Sequence, residues 1–161
     1  MNLWAAFARD LVDQGPLILR GLGDSLLLTA IISLTGFLLG LVVFYLRHCQ
    51  VALIRLVMRG YISFFIGMPL IVLLFLMYYG LPQWGVSLSP FTVAVIGFTF
   101  NVAAYNAAYL TTAYHALDAA ELEAARAAGF RPFQVFRLIT LPQVLRLSVP
   151  ALTNQVIRNL K

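Results

Sequence analysis

The chain has 161 residues, of which 61% are apolar and 11% are charged, and its formal net charge is +5. A soluble domain carries about 25% charged residues, so this composition excludes an ordinary soluble protein and predicts an integral membrane protein. Because lipid offers backbone N–H and C=O groups no hydrogen-bond partner, we expect an all-α, polytopic fold in the lipid bilayer. The single cysteine, Cys49, excludes an intrachain disulfide and a metal site built from cysteines.

Three apolar stretches predict membrane-spanning helices. The first, residues 26–46, has no charged residue and is long enough to cross a hydrocarbon core of about 30 Å. Residues 60–114 also lack charge, and the segment GLPQWGVSLSP divides them into predicted spans at 61–79 and 91–114. Gly67 and Pro69 are expected to bend or loosen the second span, because proline removes a backbone donor. A fourth stretch, 147–160, contains Pro150 and Arg158 and is expected to be too short to span.

Two glycines on the first predicted span, Gly36 and Gly40, have the GxxxG spacing that is compatible with close helix packing.

The basic residues are unevenly placed. One group lies between the first two spans and a second group follows the third, whereas the loop between the second and third spans has no Lys or Arg; the two groups are Arg47, Arg55, Arg59 and Arg126, Arg131, Arg137, Arg146. The positive-inside rule places both groups in the cytoplasm and the N-terminus outside. The net positive charge is therefore interpreted as setting topology, and no nucleic-acid partner is predicted.

The segment 118–142 is the one long charged helical stretch, and it predicts two short helices. Asp118 is a good N-cap, and Glu121 three residues later completes a capping-box-like pair. An alanine-rich helix follows, and Gly129 permits a left-handed C-cap. Pro132 can open the second helix, which Leu141 and Pro142 are expected to close.

The second of these helices is predicted to be amphipathic. Phe133, Phe136 and Ile139 share one arc of the helical wheel, and the opposite arc carries Arg131, Gln134 and Arg137. Such a helix has three uses: it can lie in the lipid headgroups, cap its own bundle, or insert into a groove on a soluble partner. The flanking spans leave no room for a DNA-reading helix-turn-helix.

Polar and aromatic residues recur on the third span at helical spacing: Asn101, Tyr105, Tyr109 and Thr112. They could line a solute path between subunits or form a packing stripe. We find no P-loop of the GxxxxGK[ST] type and no His/Cys metal cluster, and both histidines lie at predicted span ends. The sequence therefore predicts a protein that is not an enzyme and has no catalytic residues, no metal and no bound cofactor.

The residues of segment 118–142 also match a known motif. Glu123, Ala124 and Ala125, followed by Gly129 and a closing Leu-Pro, resemble the Glu-Ala-Ala loop of permease subunits of bacterial ABC importers. The rest of the chain is similar to the polar amino acid branch of those permeases, which imports histidine, glutamine, glutamate, arginine or opines. Further matches lie at residues 64–70, 78–82, 104–105 and 142–161.

This resemblance implies a permease subunit of the bacterial inner membrane, with residues 1–161 as one permease-type transmembrane domain. The implied partners are a second permease subunit, identical or different, a cytoplasmic ATPase that binds the ATP, and an extracytoplasmic solute-binding protein that delivers an amino acid. Residues 118–142 are the coupling loop, which would seat on the ATPase. The implied loop site comprises Glu123, Ala124, Ala125, Gly129, Phe133, Phe136, Ile139 and Pro142.

Several positions depart from the pattern of that branch. Ile66 stands where arginine is usual, Ala108 where glutamate is common, and Thr111-Thr112 where Arg-Gly is common. The chain stops at Lys161, where such permeases usually continue into a further span, so it is expected to be truncated. The alternative to an importer subunit is a non-transporting permease remnant or a helix-bundle assembly partner.

Overall fold

The computed structural model describes residues 3–160, with side-chain surroundings from residue 14 onward. The predicted all-α class is confirmed over this range. Its α-helices are α1 (Leu3–Arg47), α2 (Ala52–Gly67), α3 (Leu70–Phe75), α4 (Pro90–His115), α5 (Ala119–Ala127), α6 (Pro132–Val135) and α7 (Leu141–Asn159). Two π-helical turns, Leu76–Gly80 and Phe136–Thr140, and a 3₁₀ turn, Leu81–Trp84, connect them. Lys161, the last position of the predicted resemblance, lies outside the described residues.

Within residues 3–160, three helical runs are long and apolar enough to cross a membrane: Gln14–Arg47, Pro90–His115 and Pro132–Asn159. The first two contain the predicted spans 26–46 and 91–114. The third differs from expectation, because residues 147–160 form the last part of a run of 28 helical residues. The fourth apolar stretch is therefore the end of a longer helical run, which begins in the second half of the predicted coupling loop.

The second predicted span, 61–79, is not one continuous helix. Helix α2 and the segment Leu70–Trp84 meet at an angle of 101°, so the prediction of a bend at this point is confirmed and that of an unbroken helix is wrong. Proline disfavours helical geometry in the residue before it, and Met68 is accordingly extended, with φ −91° and ψ 128°. The chain therefore turns at Met68-Pro69.

The expected end of a helix at Leu141-Pro142 is also wrong. The π-helical turn Phe136–Thr140 runs directly into α7, and Pro142 lies in the first turn of that helix. A proline inside a regular α-helix would lose a backbone hydrogen bond and clash with the preceding turn. The wider π-turn opens the hydrogen-bond ladder just before Pro142, so the helix axis continues through it.

Helices α1 and α4 pack closely through their small residues. A Cβ added at Gly36 would lie 2.7 Å from Val102 Cγ1, and one added at Gly40 would lie 2.8 Å from Asn106 Cβ and 3.2 Å from the carbonyl oxygen of Ala103. Only glycine permits this approach, since real Cβ contacts are not so short. The expected role of the GxxxG spacing in helix packing is confirmed.

One end of the bundle gathers the two basic stretches. The C-terminal ends of α1 and α4 meet there, with the rings of His48 and Tyr114 4.4 Å apart. The coupling loop packs against the same end, where the rings of Phe44 and Phe136 are 5.8 Å apart. Phe44 is fully buried at the centre of this cluster. The loop is thus fixed to the bundle by aromatic contacts beneath it.

Candidate functional site

The first half of the coupling loop, α5, is fixed at its start by Asp118. Its side chain accepts a hydrogen bond from the N–H of Ala120 at 2.9 Å, which confirms the predicted N-cap. The predicted reciprocal bond from Glu121 is not formed. Oε2 of Glu121 instead accepts from Nε2 of Gln143 at 2.7 Å. Glu121 therefore ties α5 to the beginning of α7, and the loop folds back on itself.

Gly129 ends α5 in a left-handed conformation, as predicted, with φ +82°. Its N–H donates to the carbonyl of Arg126 at 3.0 Å, and the N–H of Phe130 donates to the carbonyl of Ala125 at 3.2 Å. These two bonds are those of a Schellman motif, which satisfies carbonyls that the end of a helix leaves unpaired. The angle between the two halves of the loop is therefore set by backbone bonds rather than by a mobile hinge.

The Glu-Ala-Ala stretch has two faces. Glu123 and Ala124 are exposed, as is Gly129 beyond them. Ala125 is only 7% exposed, and it points towards the protein's own helices. The outward face of this stretch therefore consists of Glu123, Ala124 and Gly129, and Ala125 holds α5 against the bundle.

In the second half of the loop, the residues that are exposed and buried differ from those that the helical wheel predicts. Phe133 is 56% exposed, whereas Val135, which the prediction left out, is 5% exposed. Phe136 is half-buried, and its ring lies 4.8 Å from that of Tyr45 at the end of α1. The π-turn that begins at Phe136 breaks the 3.6-residue period on which the wheel rests.

The remaining members of the predicted loop site, Ile139 and Pro142, are half-buried and exposed, respectively. Of the two aromatic residues in the predicted loop site, Phe133 is therefore mostly exposed to solvent. Phe136 instead anchors the loop through its contact with Tyr45.

His48 lies beneath the loop, in a cleft that it shares with Arg126 and Phe130. Burial lowers the pKa of this imidazole, the nearby Arg47 lowers it further, and a hydrogen bond to the carbonyl of Phe44 at 2.8 Å opposes the shift. Since a carbonyl oxygen accepts only, Nδ1 carries the hydrogen of this bond. These effects together favour the neutral form of His48 over its charged form.

The four polar and aromatic residues of α4 do not share one role. Asn101 is buried, and its Nδ2 donates to the carbonyl of Phe65 at 2.9 Å. Phe65 lies in the last turn of α2, where the break at Met68-Pro69 leaves carbonyls without intrahelical donors. Asn101 therefore stabilises the bent span. Thr112 is exposed, and its hydroxyl donates to the carbonyl of Ala108 in its own helix at 3.1 Å.

Tyr105 and Tyr109 point instead towards α7. Their ring centroids are 6.3 Å apart, and both residues are half-buried. Tyr109 lines a cleft of about 390 Å³ between the two helices, and its other lining residues are Ala151, Asn154, Ile157 and Arg158. Of the four residues proposed for a solute path, Tyr109 lines this cleft, and Tyr105 contacts Arg158, another of its lining residues.

The prediction missed the polar residues that α7 contributes to this region. Gln155 is 4% exposed, although glutamine is an expensive residue to bury. The guanidinium carbon of Arg158 lies 4.8 Å from the centroid of the Tyr105 ring. A charged residue inside an apolar stretch is the signal that could have found this group.

Residues 33–161 match the family described as "Binding-protein-dependent transport system inner membrane component". The chain belongs to this family. One relative is the "Probable amino-acid ABC transporter permease protein YckA" of Bacillus subtilis (strain 168), 35% identical over 93% of this chain and 66% of that protein. Another is the "Probable amino-acid ABC transporter permease protein PatM" of Vibrio harveyi, 34% identical over 91% of this chain and 67% of that protein. The chain thus spans about two thirds of the length of these relatives.

A solved structure has a fold similar to that of this chain. The crystal structure of an amino acid ABC transporter with histidines superposes with a TM-score of 0.85, at 34% identity, over 94% of this chain and 71% of that one. The chain is therefore an integral inner membrane protein of the permease-subunit type. It is not an enzyme, because in such systems ATP hydrolysis belongs to a separate subunit.

Proposed function

We propose that this chain forms half of the path by which an amino acid enters the cell, paired with a second permease subunit and driven by a cytoplasmic ATPase. The ATPase binds the ATP, and this chain binds no cofactor. An extracytoplasmic solute-binding protein delivers the amino acid. Family membership supports the permease role, and the relatives named as amino-acid permeases support the class of substrate.

One observation carries the coupling part of this proposal: a stiff, capped pair of helices presents Glu123, Ala124, Gly129 and Phe133 outward from the basic end of the bundle. A surface that transmits force must not yield when it is pushed. Here the Asp118 cap and the Schellman motif satisfy the backbone groups at the two ends of α5. The aromatic contacts of Phe136 join the loop to α1, so a displacement of the loop displaces a membrane-spanning helix.

Reconstituted uptake tests the function. The full-length permease, its permease partner and the ATPase encoded beside it are placed in proteoliposomes with the solute-binding protein, and each of the twenty radiolabelled L-amino acids is offered. We expect ATP-dependent accumulation of at least one of them, and none when the ATPase is omitted. Lack of uptake for every amino acid, in vesicles that still hydrolyse ATP, would overturn the substrate class.

The proposed orientation puts the N-terminus and residues 85–89 outside and the coupling loop in the cytoplasm, in agreement with the positive-inside rule. In a Cys49→Ser background, a thiol reagent that cannot cross the membrane should label Ser87→Cys in intact cells and leave Ala128→Cys unlabelled. Both positions are exposed, so in cells that lack the partner ATPase access is decided by the membrane. Permeabilised cells, in which both variants should react, provide the control. Labelling of Ala128→Cys in intact cells would contradict the orientation and, with it, docking to a cytoplasmic partner.

A further inference from the structure

Helix α2 carries a cluster of positive charge at the basic end of the bundle. Arg55 and Arg59 are one helical turn apart on α2, and both are exposed. Arg47 ends α1 on the other side of the short turn, close enough that the positive charge of Arg59 acts on it. Residues 47–60 contain no acidic residue. Like charges four residues apart on a helix repel one another, so this surface favours a bound anion.

Beside these arginines, α2 presents an apolar face with a notch in it. Ile62 is buried in the core cluster and marks the side of α2 that faces the bundle. On another side, Leu56 and Phe64 are 67% and 53% exposed. They belong to one row of side chains spaced four residues apart, and Gly60 lies between them in that row. A Cβ added at Gly60 would meet no atom within 4 Å. The row therefore leaves an open notch between two apolar side chains.

The charges and the notch follow one another in the order of the parts of a phospholipid. Helix α2 begins at Ala52 and has no charged residue after Arg59. With a rise of 1.5 Å per residue, both arginines lie within about 11 Å of that beginning, and Phe64 lies roughly 8 Å beyond Arg59. Arginine side chains at such a depth extend back towards the headgroups. A phosphate can therefore meet the guanidinium groups while an acyl chain runs along the notch.

The charge on this face argues against a second copy of the chain as its partner. Two copies related by a two-fold axis along the membrane normal would bring their arginines together at the same depth if they met through this face. A phosphate is negatively charged and accepts paired hydrogen bonds from guanidinium groups. Basic pockets on the cytoplasmic side of membrane helices bind anionic headgroups in this way. The occupant that fits both the charge and the notch is an anionic phospholipid.

We propose that Arg55 and Arg59 bind the headgroup phosphate of an anionic phospholipid in the cytoplasmic leaflet, with one acyl chain in the notch at Gly60. Arg47 adds positive charge beside the headgroup. This inference goes beyond the proposed import of an amino acid and does not depend on it. The proposed orientation serves only to name the leaflet.

Lipid binding to the assembled complex tests the site. The full-length permease, its permease partner and the ATPase are purified in detergent and titrated with phosphatidylglycerol, and bound lipid is counted by native mass spectrometry. Phosphatidylcholine with the same acyl chains measures binding without a net negative charge. We expect the wild type to prefer phosphatidylglycerol. Arg55→Gln combined with Arg59→Gln should lower that preference roughly tenfold or more, since each basic residue near an anionic lipid contributes about fivefold.

Three further variants locate the site. Arg137→Gln combined with Arg146→Gln removes the same charge from other exposed positions and should keep the wild-type preference. Gly60→Leu keeps every charge and fills the notch, so it should weaken binding of both lipids. Arg55→Lys combined with Arg59→Lys keeps the charge but loses the paired hydrogen bonds, and its preference should fall between those of the wild type and the glutamine variant. The lysine variant remains informative if the glutamine variant fails to assemble.

Several results would overturn the inference. One is a wild-type complex that binds the two lipids equally, as when an acidic group of the ATPase or of the second permease subunit occupies this face. Another is an equal loss of preference in the Arg137, Arg146 variant, because the effect would then come from general surface charge. Unchanged binding by Gly60→Leu would refute the notch as the seat of the acyl chain. Glycerol phosphate distinguishes a lipid from a free phosphate: if it displaces phosphatidylglycerol at equal concentration, the site does not recognise a lipid.

Discussion

The double variant Glu123→Lys, Gly129→Val is expected to lose most of the ATPase that co-purifies with the wild-type permease. The variant permease should still insert into the membrane. Glu123 is exposed, so its replacement leaves the core unchanged and reverses the charge of the docking surface. We expect Glu123 to face basic residues of the ATPase, so that lysine would bring like charges together there, which costs several kcal/mol. At Gly129, φ is +82°, where a β-branched residue is strained by about 1–3 kcal/mol. Since 1.4 kcal/mol is a factor of ten in affinity, the loss should exceed tenfold.

The matched control for the glycine is Gly129→Asn. Asparagine tolerates the left-handed conformation better than other residues with a side chain, and no atom lies within 4 Å of a Cβ added there. The variant should retain most of the ATPase, measured by affinity purification from solubilised membranes and by ATP-driven uptake. Retention of the ATPase at wild-type levels by the double variant would rule out docking through this loop.

Gly40→Leu is expected to destabilise the permease strongly. Its Cβ would lie 2.8 Å from Asn106 Cβ and 3.2 Å from a backbone oxygen of α4, which cannot move aside as a flexible side chain can. Overpacking in a close-packed interior costs about 1–3 kcal/mol and occasionally more. We expect a clear fall in the Tm of the detergent-solubilised protein and a low yield of folded protein.

Gly23→Leu provides the comparison on the same helix. Nothing lies within 4 Å of a Cβ added at Gly23, so the same gain in side-chain volume should leave Tm nearly unchanged. If the two variants have the same Tm, the close packing of α1 on α4 does not limit stability. Gly36→Leu should also lower Tm clearly, because its Cβ would lie 2.9 Å from the Cβ of Val102, which is fixed to the backbone.

The local features of the coupling loop could be predicted because each depends on a few neighbouring residues. The side-chain oxygen of Asp118 can cap a helix, and Gly129 can adopt a positive φ because it has no Cβ. Pro132 can start a helix because its ring fixes φ. The burial of Val135 in place of Phe133 could not be predicted in this way. It depends on how this segment packs against the helices beneath it and on the π-helical turn that follows, neither of which a local rule anticipates.

The roles of the residues on α4 were open for a different reason. Asn101 and Tyr105 are one helical turn apart. This spacing is the same whether the two residues line a solute path or pack against another helix. Asn101 faces a break in α2 and Tyr105 faces a guanidinium of α7. Both partners come from distant parts of the chain, and helical spacing contains no information about which helix lies alongside.

By itself, the sequence determined that this protein lies in a membrane, that it is helical there, and where the coupling loop begins and turns. The reason is that the cost of exposing backbone groups to lipid and the steric limits of proline and glycine act within one segment. Only the tertiary structure decided that Glu121 bonds to Gln143, that the second span bends by 101°, and that Arg158 lies over Tyr105. These outcomes depend on how closely the helices approach one another and at what angle. For α1 and α4 the close approach is possible because Gly36 and Gly40 have no side chains.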